Sequence, residues 1–347
     1  MKASVPTPPV PGRDLLRALL RDVSRSFYRT LQVLPGAVRR PIGLGYLLAR
    51  ATDTLADTDL VPVPVRLAAL EQLRQRIEGE RTDAVDFQVF MTPATAGDTA
   101  TAAERTLLGR IEEALQVLND LTPDDRAAVR DVLNTITSGQ VLDLQRFGAA
   151  AANRITALAN AAELNDYTYR VAGCVGDFWT RLCRRHLFPK ANLDEAALLA
   201  EGLRYGQGLQ LVNILRDLPK DLRLGRCYLP ADELACVGLN PADLLDPANE
   251  PRLRPVYQRW LTVAEDNLIA AWSYTNRLPF SQWRLRLGCA WPVLIGWQTL
   301  QRLRSANVLD ASQRIKISRK DVRQILLGTL WRLPLRSPWE RLGPRRT

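Results

Sequence analysis

The 347-residue chain is 46% hydrophobic, which is enough for a sizeable core in one large domain or two and excludes disorder over most of its length. Its 47 Lys and Arg residues outnumber its 37 Asp and Glu residues, which favours an anionic partner: a phosphorylated substrate, a nucleic acid or an anionic membrane surface. Five cysteines without a CxxC pair and a single histidine argue against a Cys/His zinc site or a disulfide framework, and a reducing cytosol fits best.

Helical periodicity runs through almost every segment, and no alternating strand pattern competes with it. The predicted helices cover residues 13–34 (interrupted near SRSFY), 37–58, 64–80, 102–120, 124–147, 155–188, 193–218, 250–276, 280–305 and 318–330. No repeat of the length that is typical of helical solenoids is present. We therefore predict one all-α domain over residues 13–330, a closed bundle with a central apolar cavity and a site built by side chains on facing helices.

The two ends of the chain depart from this pattern. Residues 1–12 contain four prolines and lack the apolar run of a signal peptide, so we predict a disordered arm. No stretch reaches the roughly 18 uninterrupted apolar residues of a membrane span, so we expect a cytoplasmic protein, soluble or peripheral. The only histidine, His186, lies among basic residues close to Pro189, which favours a structural or solvent role over that of a general base.

A first pair of acidic residues, Asp53 and Asp57, lies in the apolar stretch GYLLARATDTLADTD. Carboxylates buried in such a helix are costly unless something compensates their charge. Helical spacing places Tyr46 and Arg50 on the same face as the two aspartates. This face therefore either forms a site or is simply an exposed polar surface with an Arg–Asp ion pair.

A second pair, Asp217 and Asp221, follows in QLVNILRDLPKD, where Gln210 and Asn213 share the face of Asp217. Proline inside a helix removes one backbone hydrogen bond and clashes with the carbonyl group four residues back. We therefore expect Pro219 to kink or end the helix and to place Asp221 on the first irregular turn.

Spacing alone does not identify a site, because Asp120 and Asp124 are also four residues apart. Between them, Thr122 and Pro123 predict a helix start, with Thr122 as the cap and Pro123 at the first helical position. Turn and capping roles therefore explain this third pair.

Mg²⁺ would compensate the other two pairs, because it takes oxygen ligands from one or two carboxylates together with waters and substrate phosphates. Two pairs that face each other across a cavity would hold several Mg²⁺ ions on a diphosphate, with Mn²⁺ as a possible replacement. The side chains predicted to contact the same oxygens are Arg50, Arg216 and Arg226 as bidentate donors, Gln210 as a neutral contact, and Asn213 as a neutral contact and further metal ligand.

Five segments resemble the squalene and phytoene synthases, and they follow the order and separation of that family: SRSFY (24–28), YLLARATDTLAD (46–57), YTYRVAGCVG (167–176), LQLVNILRDLPKD (209–221) and GRCYLP (225–230). The resemblance covers roughly residues 13–330 and implies an isoprenoid synthase fold. It also implies head-to-head prenyl transfer: one prenyl diphosphate ionises, the double bond of a second attacks the allylic cation, and a cyclopropyl diphosphate forms after loss of a proton. In squalene synthases this intermediate then rearranges and takes a hydride from NADPH.

Carried over residue by residue, the resemblance implies a role for each of these segments. The residues implied to bind diphosphate-bound Mg²⁺ are Asp53, Asp57, Asp217 and Asp221. Tyr167 would stabilise a cation or move a proton near the reacting carbons, unless Tyr167 and Tyr169 are core aromatics. The residues implied to bind substrate are Ser24, Arg25, Ser26 and Phe27 at the donor end, Tyr46, Arg50, Gln210, Asn213, Arg216 and Arg226 near the phosphates, and Val171 and Gly173 along the chain.

Small residues in VAGCVG, namely Ala172, Gly173 and Gly176, permit a close approach of other atoms, although a glycine inside a helix costs about 1 kcal/mol. We expect a prenyl tail to run along this groove. Close packing of a neighbouring helix is the alternative.

The first acidic block looks closer to the squalene branch, because no second acidic residue follows Asp53 directly. Ala56 stands where that branch often has a third acid, which puts a three-carboxylate metal site in doubt. The block RIKISRKDV (314–322) resembles a basic stretch associated with NADPH and implies Lys316 and Arg319 as contacts to the cofactor phosphate. No GxGxxG fingerprint follows a strand, so NADPH would bind without a dinucleotide fold.

The expected reaction is therefore the condensation of two farnesyl diphosphates to squalene through presqualene diphosphate. The alternatives on the same fold are a phytoene, dehydrosqualene or presqualene diphosphate synthase. An assembly factor without catalysis is an alternative from another class, against which the two intact acidic pairs argue.

The tail at residues 331–347 interleaves Trp331, Leu333, Leu335 and Trp339 with five arginines. Basic and aromatic residues together anchor segments at anionic membrane interfaces, so contact with the inner face of a membrane is one expectation. A disordered basic tail is the other, since three prolines prevent a long helix. Basic residues elsewhere are scattered and follow no nucleic-acid-binding motif, so we expect no nucleic-acid partner, and we favour a monomer.

Overall fold

The computed structural model describes residues 15–24, 28–58, 61–91, 101–151, 153–313 and 315–345. The predicted arm at residues 1–12, and the predicted donor-end residues Arg25, Ser26 and Phe27, lie outside the described residues. The described chain is overwhelmingly helical, which confirms the predicted all-α class. It divides into two compact units, of which Met1–Gln32 and Gly36–Val141 form the first and Val33–Pro35 and Leu142–Thr347 the second.

The first unit is built around one long helix, α3, whose apolar residues recur at helical spacing. Its elements are a π-helical turn at Leu15–Leu19, then α1 (Leu20–Ser24), α2 (Tyr28–Val33), α3 (Gly36–Asp57), α4 (Val63–Glu78), α5 (Gln88–Met91), α6 (Ala102–Gly109), α7 (Ile111–Asn119) and α8 (Pro123–Phe147), which continues into the second unit. Leu44, Leu47, Leu48, Ala51 and Leu55 of α3 are fully buried, and α3 packs against α4, α6 and α7. Burial of this stripe leaves the polar face of α3 directed away from the core.

The start of α8 confirms the predicted cap. The backbone N–H of Asp125 donates a hydrogen bond to Oγ1 of Thr122, at 3.3 Å, and Pro123 is the first helical residue. Asp120 lies before the helix, where its carboxylate is 3.7 Å from the guanidinium of Arg40. The spacing of Asp120 and Asp124 is therefore a consequence of the helix start. By contrast, the helix predicted over 102–120 is two helices, α6 and α7, which meet at Arg110.

The second unit combines long helices with one small parallel sheet. Its elements are β1 (Thr156–Leu158), α9 (Ala161–Thr168), a π-helical turn at Tyr169–Gly173, α10 (Cys174–Leu187), α11 (Glu195–Arg223), β2 (Arg226–Pro230), α12 (Ala231–Cys236), 3-10 turns at Pro241–Leu245 and Pro247–Asn249, α13 (Glu250–Arg277), a 3-10 turn at Phe280–Gln282, α14 (Trp283–Ser305), α15 (Arg319–Arg332) and α16 (Arg336–Glu340). Helix α11 is central and packs against α10, α13 and α14.

The prediction of one helix over 155–188 is wrong at its beginning. Residues Thr156–Leu158 form a strand that pairs in parallel with β2, with Thr156 opposite Arg226. The backbone N–H of Thr156 donates to the carbonyl of Gly225, at 2.8 Å, and Gly225 has a positive φ of 79° that turns the chain from α11 into β2. Because the partner strand lies far away in sequence, local periodicity does not reveal so short a strand.

Helix α11 continues through Pro219 to Arg223. The expectation that Pro219 places Asp221 on an irregular turn after the helix is therefore wrong. Pro219 has no N–H to offer the carbonyl of Leu215, four residues back. The hydroxyl of Tyr257 on α13 donates to that carbonyl instead, at 2.9 Å, and Tyr257 is fully buried. With the orphaned acceptor satisfied, Asp217 and Asp221 lie on the same face of one helix.

The C-terminal segment is divided between the core and the surface. Trp339 on α16 is 1% exposed, its ring stacks on Trp272 at 5.4 Å, and its Nε1 donates to Oδ1 of Asn276 at 2.8 Å. Trp331 at the end of α15 is 82% exposed. Nowhere in the described ranges does a helix have both the length and the apolar character needed to cross a bilayer.

Candidate active site

An ion-pair network in the first unit connects the first acidic face to a buried glutamate. Arg50 forms ion pairs with Asp53, three residues on, and with Glu104 of α6. Glu104 is only 3% exposed, and it also accepts the backbone N–H of Thr101 in a capping box at the start of α6. Although burial opposes the charge, these contacts lower the pKa of Glu104. Arg50 is therefore fixed on the acidic face by two carboxylates.

The charge of this face is not fully compensated by Arg50. Desolvation and the neighbouring charge of Asp57 raise the pKa of Asp53 to about 7, against the opposing effect of Arg50. Asp57 lies at the exposed end of α3, and Tyr46 is half-buried on the same face. The Nε atom of Arg50 is buried and has no hydrogen-bond partner among the described residues. The face thus has two carboxylates that a cation would stabilise and one unused donor.

The second acidic pair repeats this electrostatic pattern on α11. Arg216 holds Asp217 through two hydrogen bonds, of 2.8 and 2.6 Å. Desolvation and the charge of Asp217 raise the pKa of Asp221 to about 7, while Lys220 and Arg226 act in the opposite direction. Each pair therefore contains one aspartate that ionises only at a cost.

The neutral side chains of α11 share this face as predicted. Asn213 is exposed and Gln210 is half-buried, whereas Leu211, Val212, Ile214, Leu215 and Leu218 are buried on the other side of the helix. The amide oxygen of Asn213 lies one turn before Asp217 on the same stripe.

These donor sets fit a cation that is shared with a substrate. In the part of the chain that the structure describes, no three His, Cys, Asp or Glu side chains converge as a closed metal cage. Mg²⁺ needs only one or two carboxylates when waters and phosphate oxygens complete its octahedron. In the first unit Asp53 and Asp57 could hold such a cation, and in the second unit Asn213, Asp217 and Asp221 could hold another.

Tyr167 lies in a chain of hydrogen bonds in the second unit. Its ring stacks on that of Tyr228, with centroids 4.9 Å apart, and its hydroxyl donates to the hydroxyl of Tyr228 at 3.5 Å. Tyr228 donates in turn to the carboxylate of Asp143, at 3.0 Å, and Arg226 lies 3.8 Å from that carboxylate. Both tyrosines are buried, and burial raises the pKa of Tyr228 well above its usual value. Tyr169, by contrast, is 41% exposed and is no core aromatic.

Atoms of α11 fill the space next to the glycines of VAGCVG. A Cβ atom on Gly176 would lie 1.8 Å from the carbonyl oxygen of Gly202 on α11, and one on Gly206 would lie 2.1 Å from the carbonyl oxygen of Ala172. At Gly173 the nearest atom would be Cγ of Gln207, at 3.1 Å. The expected prenyl groove at Gly176 is therefore wrong, and close helix packing, the alternative, explains this glycine.

The remaining predicted residues are placed without a common contact. Ser24 is buried and its hydroxyl donates to the carbonyl of Leu20, within the same helix, while Val171 is half-buried in the π-helical turn. Lys316 and Arg319 are exposed at the start of α15, where Ser318 caps the helix by accepting the N–H of Asp321. These two basic side chains suit a phosphate group, and their role in binding NADPH stays a prediction.

Three residues of the site were missed by sequence reasoning. Glu104 contacts Arg50 from 54 positions away, and Asp143 contacts Tyr228 from 85 positions away, so no local spacing could indicate either pair. Tyr228 lies in the segment GRCYLP, for which the family resemblance implies a role of Arg226 only. The presence of Tyr228 in this segment is the sequence feature that indicates it as a site residue.

Comparison with known proteins gives consistent matches. Residues 20–321 match the model of the family described as squalene/phytoene synthase. A phytoene synthase of Arthrospira platensis is 29% identical over 273 residues, which cover 74% of this chain and 75% of that protein. A bifunctional lycopene cyclase/phytoene synthase of Phycomyces blakesleeanus is 29% identical over 284 residues, which cover 80% of this chain but 43% of that protein. Among solved structures, TcSQS in complex with a ligand aligns with a TM-score of 0.73 at 20% identity over 94% of this chain and 95% of that one, and so shares its fold.

Proposed function

Because the chain belongs to the squalene/phytoene synthase family, we propose that it is an enzyme that joins two prenyl diphosphates head to head. The observation that carries this proposal is the pair of acidic faces, each with one aspartate whose pKa is raised to about 7. A non-catalytic assembly factor has no need for carboxylates held at such a cost.

We propose two farnesyl diphosphates as substrates, presqualene diphosphate as intermediate and squalene as product, with NADPH as reductant and Lys316 and Arg319 as contacts to its phosphate. Phytoene formation is the second candidate, supported by the identity with the phytoene synthase of Arthrospira platensis.

In the proposed mechanism the carboxylates and arginines bind the diphosphate. When bound, Mg²⁺ would neutralise the leaving diphosphate. Asp53 and Asp57 would hold one cation, and Asp217, Asp221 and Asn213 would hold another. Arg50 would direct its guanidinium to a phosphate oxygen, and its ion pair with Glu104 would keep the guanidinium in place in the absence of substrate.

The proton lost from the reacting carbons would pass along the tyrosine chain. Tyr167 would accept it at its hydroxyl oxygen while its own proton moves to Tyr228 and the proton of Tyr228 moves to Asp143. The carboxylate thereby gains one proton and both tyrosines stay neutral, as their buried positions require. Apolar side chains around the rings exclude water that would otherwise capture a cation: Phe147 contacts Tyr228 edge-on at 5.2 Å.

Phenylalanine at position 228 tests this role of Tyr228. Tyr228→Phe keeps the ring stack but interrupts the chain, so we expect kcat to fall by about 100-fold with KM changed less than about twofold. Tyr169→Phe, a change at an exposed tyrosine nearby, should leave both constants unchanged. Steady-state kinetics would contradict the relay if Tyr228→Phe kept the wild-type kcat.

The reaction itself is tested by product analysis. Purified protein is incubated with Mg²⁺ and either farnesyl or geranylgeranyl diphosphate, with and without NADPH, and the products are identified by mass spectrometry. We expect squalene from farnesyl diphosphate with NADPH, and presqualene diphosphate without it. Phytoene from geranylgeranyl diphosphate would overturn the squalene assignment, and turnover of neither substrate would overturn the proposed reaction.

A further inference from the structure

Helix α15 carries an exposed apolar surface on the side opposite its core contacts. Its inner face is anchored, since Ile325 and Thr329 are buried and Nε1 of Trp291 on α14 donates to Oγ1 of Thr329 at 2.9 Å. The outer surface, which we name the apolar ridge, consists of Leu327, Leu330, Trp331 and Leu335, which are 56%, 48%, 82% and 55% exposed.

The ridge is a contiguous feature and not a set of scattered residues. Its four members fall within nine positions of the chain, and Leu327, Leu330 and Trp331 line a shallow surface depression together with Gly328. Single exposed apolar residues are common on soluble proteins, but clustered ones mark a surface that binds something.

The charges around the ridge indicate what it binds. Residues 319–336 contain four arginines and one lysine against a single acidic residue, Asp321. The carboxylate of Asp321 accepts hydrogen bonds from Arg302 and Ser318 and so adds little free negative charge. Lys320, Arg323 and Arg332 are exposed on the same helix as the ridge. An apolar strip with a tryptophan and a basic border is complementary to an anionic phospholipid surface.

We propose that the apolar ridge and its basic border dock the protein on the surface of an anionic phospholipid bilayer. Leu327, Leu330, Trp331 and Leu335 would enter the boundary between headgroups and acyl chains, while Lys320, Arg323 and Arg332 contact lipid phosphates. A second copy of the chain is a poorer occupant, because it would bring an equally basic border against this one. The inference rests on the ridge and not on the reaction, so it stands whichever hydrocarbon the enzyme makes.

The structure also determines which variant tests the proposal. Truncation after Thr329 would remove Trp339, which is part of the core, and would confuse loss of folding with loss of binding. Point substitutions on the full chain avoid this: Leu327→Ser and Trp331→Ser remove the ridge, and Lys320→Gln and Arg323→Gln weaken the border. Trp283→Ser is the matched control, since Trp283 is a 46% exposed tryptophan of the same unit outside the ridge.

Binding is measured by co-sedimentation with phosphatidylcholine vesicles that contain about a third phosphatidylglycerol, and with vesicles of phosphatidylcholine alone. We expect the wild type and Trp283→Ser to bind the anionic vesicles equally, Trp331→Ser with Leu327→Ser to bind about tenfold more weakly, and each border substitution to cost about fivefold. Thermal unfolding confirms that each variant is folded.

Unchanged binding of the folded ridge variant, or equal binding of wild type to neutral and anionic vesicles, would overturn the proposal. So would size-exclusion chromatography showing a wild-type dimer that Trp331→Ser converts to a monomer, since the ridge would then be a self-association surface.

Discussion

Asparagine at position 53 is expected to slow metal-dependent turnover strongly and at the same time to make the metal-free protein more stable at pH 8. Asp53→Asn removes one carboxylate from the first acidic face but leaves Arg50 paired with Glu104, so the network behind the face persists. A site that holds charge at a cost should show these two opposite effects together.

The stability effect follows from the direction of the pKa shift. Folded Asp53 has a pKa of about 7, above the value near 4 in an unfolded chain, so the native state holds an additional proton between these pH values. Stability therefore falls as pH rises through this window. At pH 8 the variant should gain about 1 kcal/mol; the gain is small because the Asp53 side chain is 37% exposed and solvent screens its charge. Near pH 4, where Asp53 is protonated, the two proteins should unfold at the same temperature.

The functional effect is measured on the same samples. Mg²⁺ with inorganic diphosphate should raise the unfolding temperature of the wild type at pH 8 more than that of Asp53→Asn, and kcat should fall by about 100-fold to 1000-fold. Asp221→Asn should behave in the same way, since its pKa is raised by the same two causes. Asp120→Asn is the matched control, because Asp120 has the same spacing to a second aspartate but lies before α8. Normal turnover of Asp53→Asn or Asp221→Asn would refute the metal assignment.

Those features of the fold that depend on local spacing were predictable from the sequence. The apolar stripe of α3, the cap at Thr122 and the break before α4 each follow from residues within one or two helical turns. The acidic faces belong to this class too, since Tyr46, Arg50, Asp53 and Asp57 share a face by helical geometry alone.

Features that depend on distant partners were not predictable. Pro219 is harmless to α11 because Tyr257, which is 42 positions from Leu215 in sequence, donates a hydrogen bond to the carbonyl of Leu215 that Pro219 leaves without a partner. The strand Thr156–Leu158 exists because Arg226–Pro230 pairs with it. The role of Glu104 likewise requires the packing of α6 on α3. In each case a backbone or charged group is satisfied by a contact that only the tertiary structure supplies.

Alanine at position 176 is expected to cause a large loss of stability, because the added methyl group meets the backbone of a neighbouring helix. The Cβ atom of Gly176→Ala would lie 1.8 Å from the carbonyl oxygen of Gly202 and 2.9 Å from the backbone nitrogen of Leu203. Both atoms belong to the backbone of α11, so no side-chain rotation relieves the clash, and α10 must move away from α11. We expect a loss of about 3 kcal/mol or more, measured by chemical denaturation.

A graded series separates this packing role from a substrate-binding role. Gly173→Ala would bring its Cβ to 3.1 Å from Cγ of Gln207, a flexible side chain, so its cost should be offset by the higher helix propensity of alanine. Gly36→Ala meets no atom within 4 Å and should be neutral or stabilising. If the small residues of VAGCVG existed instead to admit a prenyl chain, Gly176→Ala would keep its stability and lose only activity. Wild-type resistance of Gly176→Ala to denaturant would therefore support a prenyl groove at this position. A destabilised Gly176→Ala protein would show that Gly176 is needed for the contact between α10 and α11.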